Sequence, residues 1–206
     1  MIIAVDGPTA SGKGTLASQL AQRLGYHYLD SGALYRVTAL AALRAGLALE
    51  TAHEPAIAAL AQALPVRFEG ERVLLAGEDI SDAIRTEEAG MNASKVSVLP
   101  AVRTALVALQ HSFQRLPGLL ADGRDMGTVV FPEAPLKIYL TASIEERAQR
   151  RYKELLDKGE NVSLRALEEQ VRSRDERDMN RDVSPLLPAE DAIELDTSEL
   201  SIQEVM

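Results

Sequence analysis

Nine consecutive residues, Gly7-Pro8-Thr9-Ala10-Ser11-Gly12-Lys13-Gly14-Thr15, have the composition of a loop that wraps a polyphosphate. Small side chains let the backbone close around the anion with its N–H groups inward. A following helix N-terminus adds positive potential, and the Lys13 ammonium reaches the outer phosphates. The Thr15 hydroxyl, in the first helical turn, is a ligand type for the Mg2+ that travels with a nucleoside triphosphate. The strict pattern places Ser or Thr directly after the Lys, whereas here Gly14 intervenes. Asp122 closes an apolar run, Leu119-Leu120-Ala121, from where a carboxylate holds Mg2+ directly or through water; Asp-Gly is equally a common turn. Arginines stand at Arg36, Arg103, Arg124, Arg174, Arg177 and Arg181. Phosphoryl transfer calls for guanidinium groups that hold both phosphates in line and spread transition-state charge, although any one Arg taken alone reads as a solvated surface residue.

The elements that must position these groups follow from apolar spacing. Ile2-Ile3-Ala4-Val5 is the continuous run of a strand buried on both faces, ending at Asp6-Gly7. From Gly12 a helix is predicted, with Leu16, Leu20 and Leu24 on one stripe and Gly25 as its cap. Tyr26-His27-Tyr28-Leu29 reads as a second strand, closed by Asp30-Ser31-Gly32, and a helix over about 33–45 stops at Gly46. Residues 51–64 are Ala-rich and helical, whereas 66–70 and 72–77 read as two strands around a Gly70-Glu71 turn. Residues 86–115 return to helical spacing with a break at Pro100. Further strands are predicted at 119–121, 136–140 and 192–195, so five short strands alternate with helices, the pattern of a parallel α/β sheet. The stretch 143–182 is dense in mixed charge, and Glu146 to Arg150 reads as an i, i+4 pair on a solvated helix face. Guanidinium groups of 145–151 could equally serve a triphosphate. The last residues, 201–206, read as the start of a helix, and a truncated one is the expectation.

Composition narrows the chemistry. In 206 residues, acidic groups outnumber basic ones by 31 to 22, a formal net charge of -9, which argues against a polynucleotide or an anionic membrane as partner. Zero cysteines exclude disulfides, thiolate metal sites and thiol nucleophiles, and fit a reducing compartment. No apolar run reaches membrane-spanning length, and the N-terminus lacks a basic leader, so a cytoplasmic protein is expected. His27, His53 and His111 share no metal-ligand spacing, and no nucleophile elbow is present.

Four blocks, Gly7 to Thr15, Leu29 to Arg36, Ala121 to Pro132 and Arg174 to Arg181, together closely resemble the bacterial cytidylate kinases, in order and over essentially the whole chain. The Gly-Lys-Gly-Thr form of the loop is likewise similar to that of nucleoside-monophosphate kinases. The resemblance implies a P-loop kinase with a five-stranded parallel sheet flanked by helices, an insertion with a small antiparallel sheet, and a lid. It implies one domain over 1–206: a core of about 1–32, 116–147 and 182–206, a monophosphate-binding region of about 33–115, and a lid of about 148–165 with its helical flank to about 181. The implied reaction moves the γ-phosphoryl group of ATP to CMP or dCMP, with Mg2+, in a monomer. ATP is expected on Gly7 to Thr15. CMP is expected on Ser31, Tyr35, Arg36, Ser94, Arg103, Arg124, Asp125, Arg174, Asp178 and Arg181, and catalytic roles fall to Lys13, Arg124, Arg174 and Arg181. Arg36 and Arg124 would hold the CMP phosphate, while Asp178 and Arg181 would contact the ribose.

Physical chemistry supports one part of this independently. Cytosine offers an N4 amino donor beside N3 and O2 acceptors, so Asp125 with Arg103 and Ser94 is complementary to it, whereas uracil would set O4 against the carboxylate. Unpaired buried polar groups discriminate strongly, so CMP is expected over UMP. Two other readings stand beside this one: a P-loop kinase for a different small acceptor, and a regulatory module that holds ATP without transferring phosphate.

Overall fold

The computed structural model describes every residue except Glu71 and Lys158. In chain order the elements are β1 (Ile2–Asp6), α1 (Lys13–Leu24), β2 (His27–Asp30), α2 (Ser31–Arg44), α3 (Glu54–Gln62), β3 (Val66–Glu69), β4 (Arg72–Leu75), β5 (Glu78–Asp79), α4 (Glu87–Ser97), α5 (Pro100–His111), β6 (Leu119–Gly123), β7 (Leu136–Thr141), α6 (Ile144–Asp157), α7 (Leu164–Met179), β8 (Ile193–Asp196) and α8 (Ile202–Val205). They fall into two compact units, one of Met1–Leu29 with Gln114–Met206 and one of Asp30–Phe113.

The first unit is built on a parallel sheet in the order β2-β6-β1-β7-β8. β1 lies at its centre, in register Ile2 to Leu119 on β6 and Ile3 to Leu136 on β7, and β7 carries β8 from Ile138 to Ile193. The unbroken apolar run of β1 is explained by neighbours on both edges and helices on the faces: Ala4 and Val5 are fully buried. Ile3, Val5, Leu120 and Leu140 of the sheet pack with Leu16, Ala17 and Ala21 of α1. The apolar stripe of α1 therefore passes through Leu16, Ala17, Leu20 and Ala21; Leu24, placed on it by spacing, lies beyond the sheet and is 45% exposed. Gly25 caps α1 in the left-handed region, φ 65°, which glycine adopts without strain. The charged stretch 143–182 resolves into α6 and α7, which bury a narrow face of Ala148, Leu155 and Leu167. Lys158, in the expected lid, lies outside the described residues.

In the second unit, α2 starts at Asp30, whose side chain accepts the Ala33 N–H at 2.9 Å. The expected hairpin is an antiparallel sheet of β3, β4 and a third, two-residue strand, β5, that spacing did not reveal. Glu71 of its expected turn lies outside the described residues. Pro100 separates two helices as expected: Thr86 caps α4, and Pro100 opens α5, where its missing N–H is no loss. Ala33, Val37, Leu64, Val73, Leu75, Ile80 and Ile84 form this unit's core. Among the described residues, no helix is long and apolar enough to cross a membrane.

Candidate active site

The loop from Gly7 to Gly12 leaves β1 at the carboxyl end of the sheet, where ligands of open α/β sheets bind. Gly7 takes φ 153°, and a Cβ there would stand 2.1 Å from the Leu140 carbonyl oxygen, so only glycine allows β7 this close. Gly12, at φ 88°, turns the chain into α1. The loop's carbonyls face cations: Pro8 O accepts the Lys13 ammonium at 3.1 Å, Thr9 O accepts Arg147 Nη1 at 3.2 Å, and Ser11 O accepts Arg150 Nη1 at 3.4 Å. The Thr197 hydroxyl also donates to Ser11 O, at 3.3 Å. Engaging carbonyls on one side leaves the N–H groups for the other, the arrangement that cradles phosphate. The Ser11 hydroxyl oxygen, fully buried within the loop, has no hydrogen-bond partner among the described residues.

Asp122 lies buried near the end of β6, and its Oδ2 accepts the Tyr28 hydroxyl at 3.2 Å. A Cβ at Gly14 would lie 3.2 Å from that oxygen and 3.8 Å from the Tyr28 hydroxyl. The residue that breaks the strict loop pattern thus leaves space in front of the carboxylate. Thr15, one residue on, is exposed in the first turn of α1. A carboxylate oxygen beside a small-residue gap and a hydroxyl is the hard-oxygen donor set that Mg2+ takes, so these residues fit the ion. Tyr28 was legible only as a strand residue.

Around Arg124 the structure gathers residues far apart in sequence. Arg124 Nε donates to Asp178 Oδ2 at 3.1 Å and Nη1 to Gly123 O at 3.3 Å. Burial would raise the Asp178 carboxyl, but the guanidinium groups of Arg124, Arg174 and Arg181 outweigh it and hold the group below the usual carboxylate range. Arg181 Nε donates to Ser184 O. Burial disfavours the Arg124 charge, yet Asp178, Asp122 and Asp6 together raise its proton affinity above the ordinary value. Guanidinium groups collected around one point are the donors that a phosphate takes. Arg177, by contrast, is exposed and donates to Ser173 O of its own helix.

Asp125, 3% exposed, follows Arg124 and precedes a single π-helical turn, Met126–Val130. The Asp6 carboxylate accepts the N–H groups of Met126 and Gly127, both at 2.8 Å. Burial raises Asp6 to about 6, against the lowering effect of those two hydrogen bonds. Nothing in the local sequence marks Asp6 as more than a turn residue. Arg147 is likewise beyond local reading: its Nη1 donates to Asp175 Oδ1 at 3.0 Å, Nη2 to Asp175 Oδ2, and Nε to Ala142 O at 2.9 Å. The expected Glu146 to Arg150 pair is present at 3.0 Å, and Arg150 also donates to the Thr197 hydroxyl at 3.1 Å.

The second unit carries the remaining expected residues. Ser31 and Tyr35 are buried in α2. The Arg103 guanidinium stands over the Tyr35 ring, 5.7 Å from its centroid, and donates to Ser97 O at 3.0 Å. Arg36 Nη1 donates to Ile84 O at 2.7 Å and Thr86 O at 3.2 Å, which holds its guanidinium against the residues before α4. Ser94 lies half-buried on α4, where its carbonyl accepts the Ser97 hydroxyl at 2.9 Å.

A family model described as Cytidylate kinase matches residues 3–206. Proteins named cytidylate kinase are similar to the whole chain: one from Stutzerimonas stutzeri (strain A1501) is 55% identical over 211 residues, covering 100% of this chain and 91% of its own. One from Pseudomonas savastanoi pv. phaseolicola is 56% identical with the same coverage, and one from Pseudomonas aeruginosa (strain UCBPP-PA14) is 55% identical. With a phosphate loop at the head of α1 and guanidinium groups collected at the same sheet end, this chain belongs to the cytidylate kinase family.

Proposed function

We propose that the protein transfers the γ-phosphoryl group of ATP to CMP or dCMP, giving ADP and CDP or dCDP. The observation that carries this reading is the pairing, at the carboxyl end of one sheet, of a phosphate loop with the Arg124, Arg174 and Arg181 guanidinium groups around Asp178. ATP lies on Gly7 to Thr15, and Lys13, now on Pro8 O, exchanges that carbonyl for the outer phosphates. Thr15 and Asp122 would hold Mg2+, directly or through water, and the ion would supply charge neutralisation for the transferring phosphoryl group.

CMP draws, in this reading, on Ser31, Tyr35, Arg36, Ser94, Arg103, Arg124, Asp125, Arg174, Asp178 and Arg181. A CMP phosphate oxygen forms the new bond to the γ-phosphorus as the bond to the ADP oxygen breaks. That oxygen is already anionic near neutral pH, so no side chain need remove a proton. The residues hold the two phosphates in line, spread the charge and exclude water. In this reading 33–115 is the monophosphate-binding region, and about 148–165 closes as a lid over the donor. A monomer working in the cytoplasm, among its nucleotides, completes the assignment.

Coupled assays at fixed ATP and Mg2+ test the reading. CMP and dCMP are expected to be the best acceptors, UMP poorer, and AMP poorest. Turnover with AMP well above that with CMP would overturn it, as would ADP release independent of any acceptor.

A further inference from the structure

Asp6 is a buried acid for which neither the donor site nor the acceptor site above has a use. It ends β1, beside Gly7, and its two oxygens accept two consecutive backbone N–H groups from the far side of the chain. Oδ1 takes Met126 and Oδ2 takes Gly127. These N–H groups open the π-helical turn, whose preceding residue, Asp125, makes no side-chain cap bond. Asp6 therefore caps the turn from a different strand. At the turn's other contact, the Asp125 carbonyl accepts Val129 N–H at 2.9 Å and Val130 N–H at 3.0 Å. The peptide unit joining Asp125 to Met126 is thus held at both ends, its oxygen by the turn and its N–H by Asp6. Because a peptide is planar, fixing both ends fixes ψ of Asp125 and with it the point from which the Asp125 side chain departs.

Burying a carboxylate is costly unless its hydrogen bonds are made, and this one is spent on two N–H groups next to a single acidic residue. As an ion it is an acceptor at both oxygens, which two converging donors require; a carboxamide would turn an NH2 toward one of them. Single π-helical turns of this kind recur where a side chain must be aimed.

We propose that Asp6 is the positioning residue for Asp125: its carboxylate fixes the backbone from which Asp125 meets the acceptor base, and so sets the preference for cytosine over uracil. The inference rests on Asp125 reading the base.

The test compares Asp6→Asn and Asp6→Glu with Asp125→Asn, measuring kcat/KM for CMP and for UMP and KM for ATP in each folded variant. Asp6→Asn is expected to lower the CMP-to-UMP ratio of kcat/KM about tenfold, the scale of one weakened hydrogen bond, with KM for ATP within about twofold of native. Asp6→Glu keeps the charge but overreaches the turn, so it lowers the same ratio and serves if the Asn variant does not fold. A native ratio in a folded Asp6 variant overturns the inference, as does an equal loss with both acceptors accompanied by a rise in KM for ATP, which would place the role of Asp6 in the phosphate loop. If Asp125→Asn erodes the ratio and Asp6→Asn does not, only the positioning role falls. If Asp125→Asn keeps the native ratio, the base-reading assignment falls and takes this role with it.

Discussion

Lys13 is 9% exposed and donates at 3.1 Å to a carbonyl of its own loop, so its ammonium is already held beside the turn it serves. Lys13→Ala removes one preorganised charge from the transferring phosphoryl group and is expected to lower kcat by roughly 10²–10³, with CMP affinity near native by equilibrium binding. Asp6 carries a pH signature. Burial lifts its folded value to about 6 from an ordinary 3.8, so the native state binds the extra proton across that window. The associated stability is fully present below the unfolded value and is lost as pH rises through about 6. Between pH 7 and pH 5 the native protein should therefore gain about 1 kcal/mol relative to Asp6→Asn, read as the difference between two urea titrations. An unchanged difference would show that Asp6 is ionised at both values. Residues of this scale were legible where they are contiguous: Gly7 to Thr15 form one stretch of backbone between β1 and the first turns of α1. Asp6 was not, because its partners are 120 and 121 positions away. Arg124 and Asp178 needed the family resemblance, being 54 positions apart.

At the scale of elements, α6 and α7 are joined by more than their small apolar face. Arg147 and Asp175 are 3% and 6% exposed, and the guanidinium also holds Thr9 O and Ala142 O, so one side chain ties two helices to the phosphate loop and to the end of β7. Removing one partner of a buried pair strands the other charge. Arg147→Ala and Asp175→Ala are each expected to cost about 3–5 kcal/mol by chemical denaturation. The double variant should cost clearly less than the sum, and strict additivity would show that the two do not act together. In sequence, 145–151 read as a charged helix face, and the Glu146 to Arg150 pair shows that reading to be correct for part of it. What periodicity could not convey is which cations turn inward, since a buried Arg and an exposed one occupy the same heptad pattern. β1 was readable because a central parallel strand buried on both faces is an unbroken apolar run, whereas β2 and β8, at the sheet's edges and partly exposed, showed only as short runs between helices. β5 was not, because two residues carry no period.

The whole molecule bears a net charge of -9, yet three guanidinium groups, those of Arg124, Arg174 and Arg181, act on the one Asp178 carboxylate. Polynucleotide binding depends on many simultaneous phosphate contacts along an extended cationic surface, whereas one nucleotide needs a few placed donors. Duplex DNA at low salt is therefore expected to leave the KM for CMP unchanged; competition by DNA in the micromolar range would contradict this. Net charge was legible at once and argues against an extended polyanionic partner, but it could not place the few cations that surround Asp178. A last consequence is optical. With five tyrosines, three weakly emitting phenylalanines and no tryptophan, the molecule's ultraviolet emission is dominated by phenol. A phenol that shares its proton with a carboxylate loses excited-state energy through that bond, as Tyr28 does with Asp122 at 3.2 Å. A cation drawing on that carboxylate would loosen the bond and brighten the ring. The native chain therefore carries its own lamp beside the position proposed for magnesium.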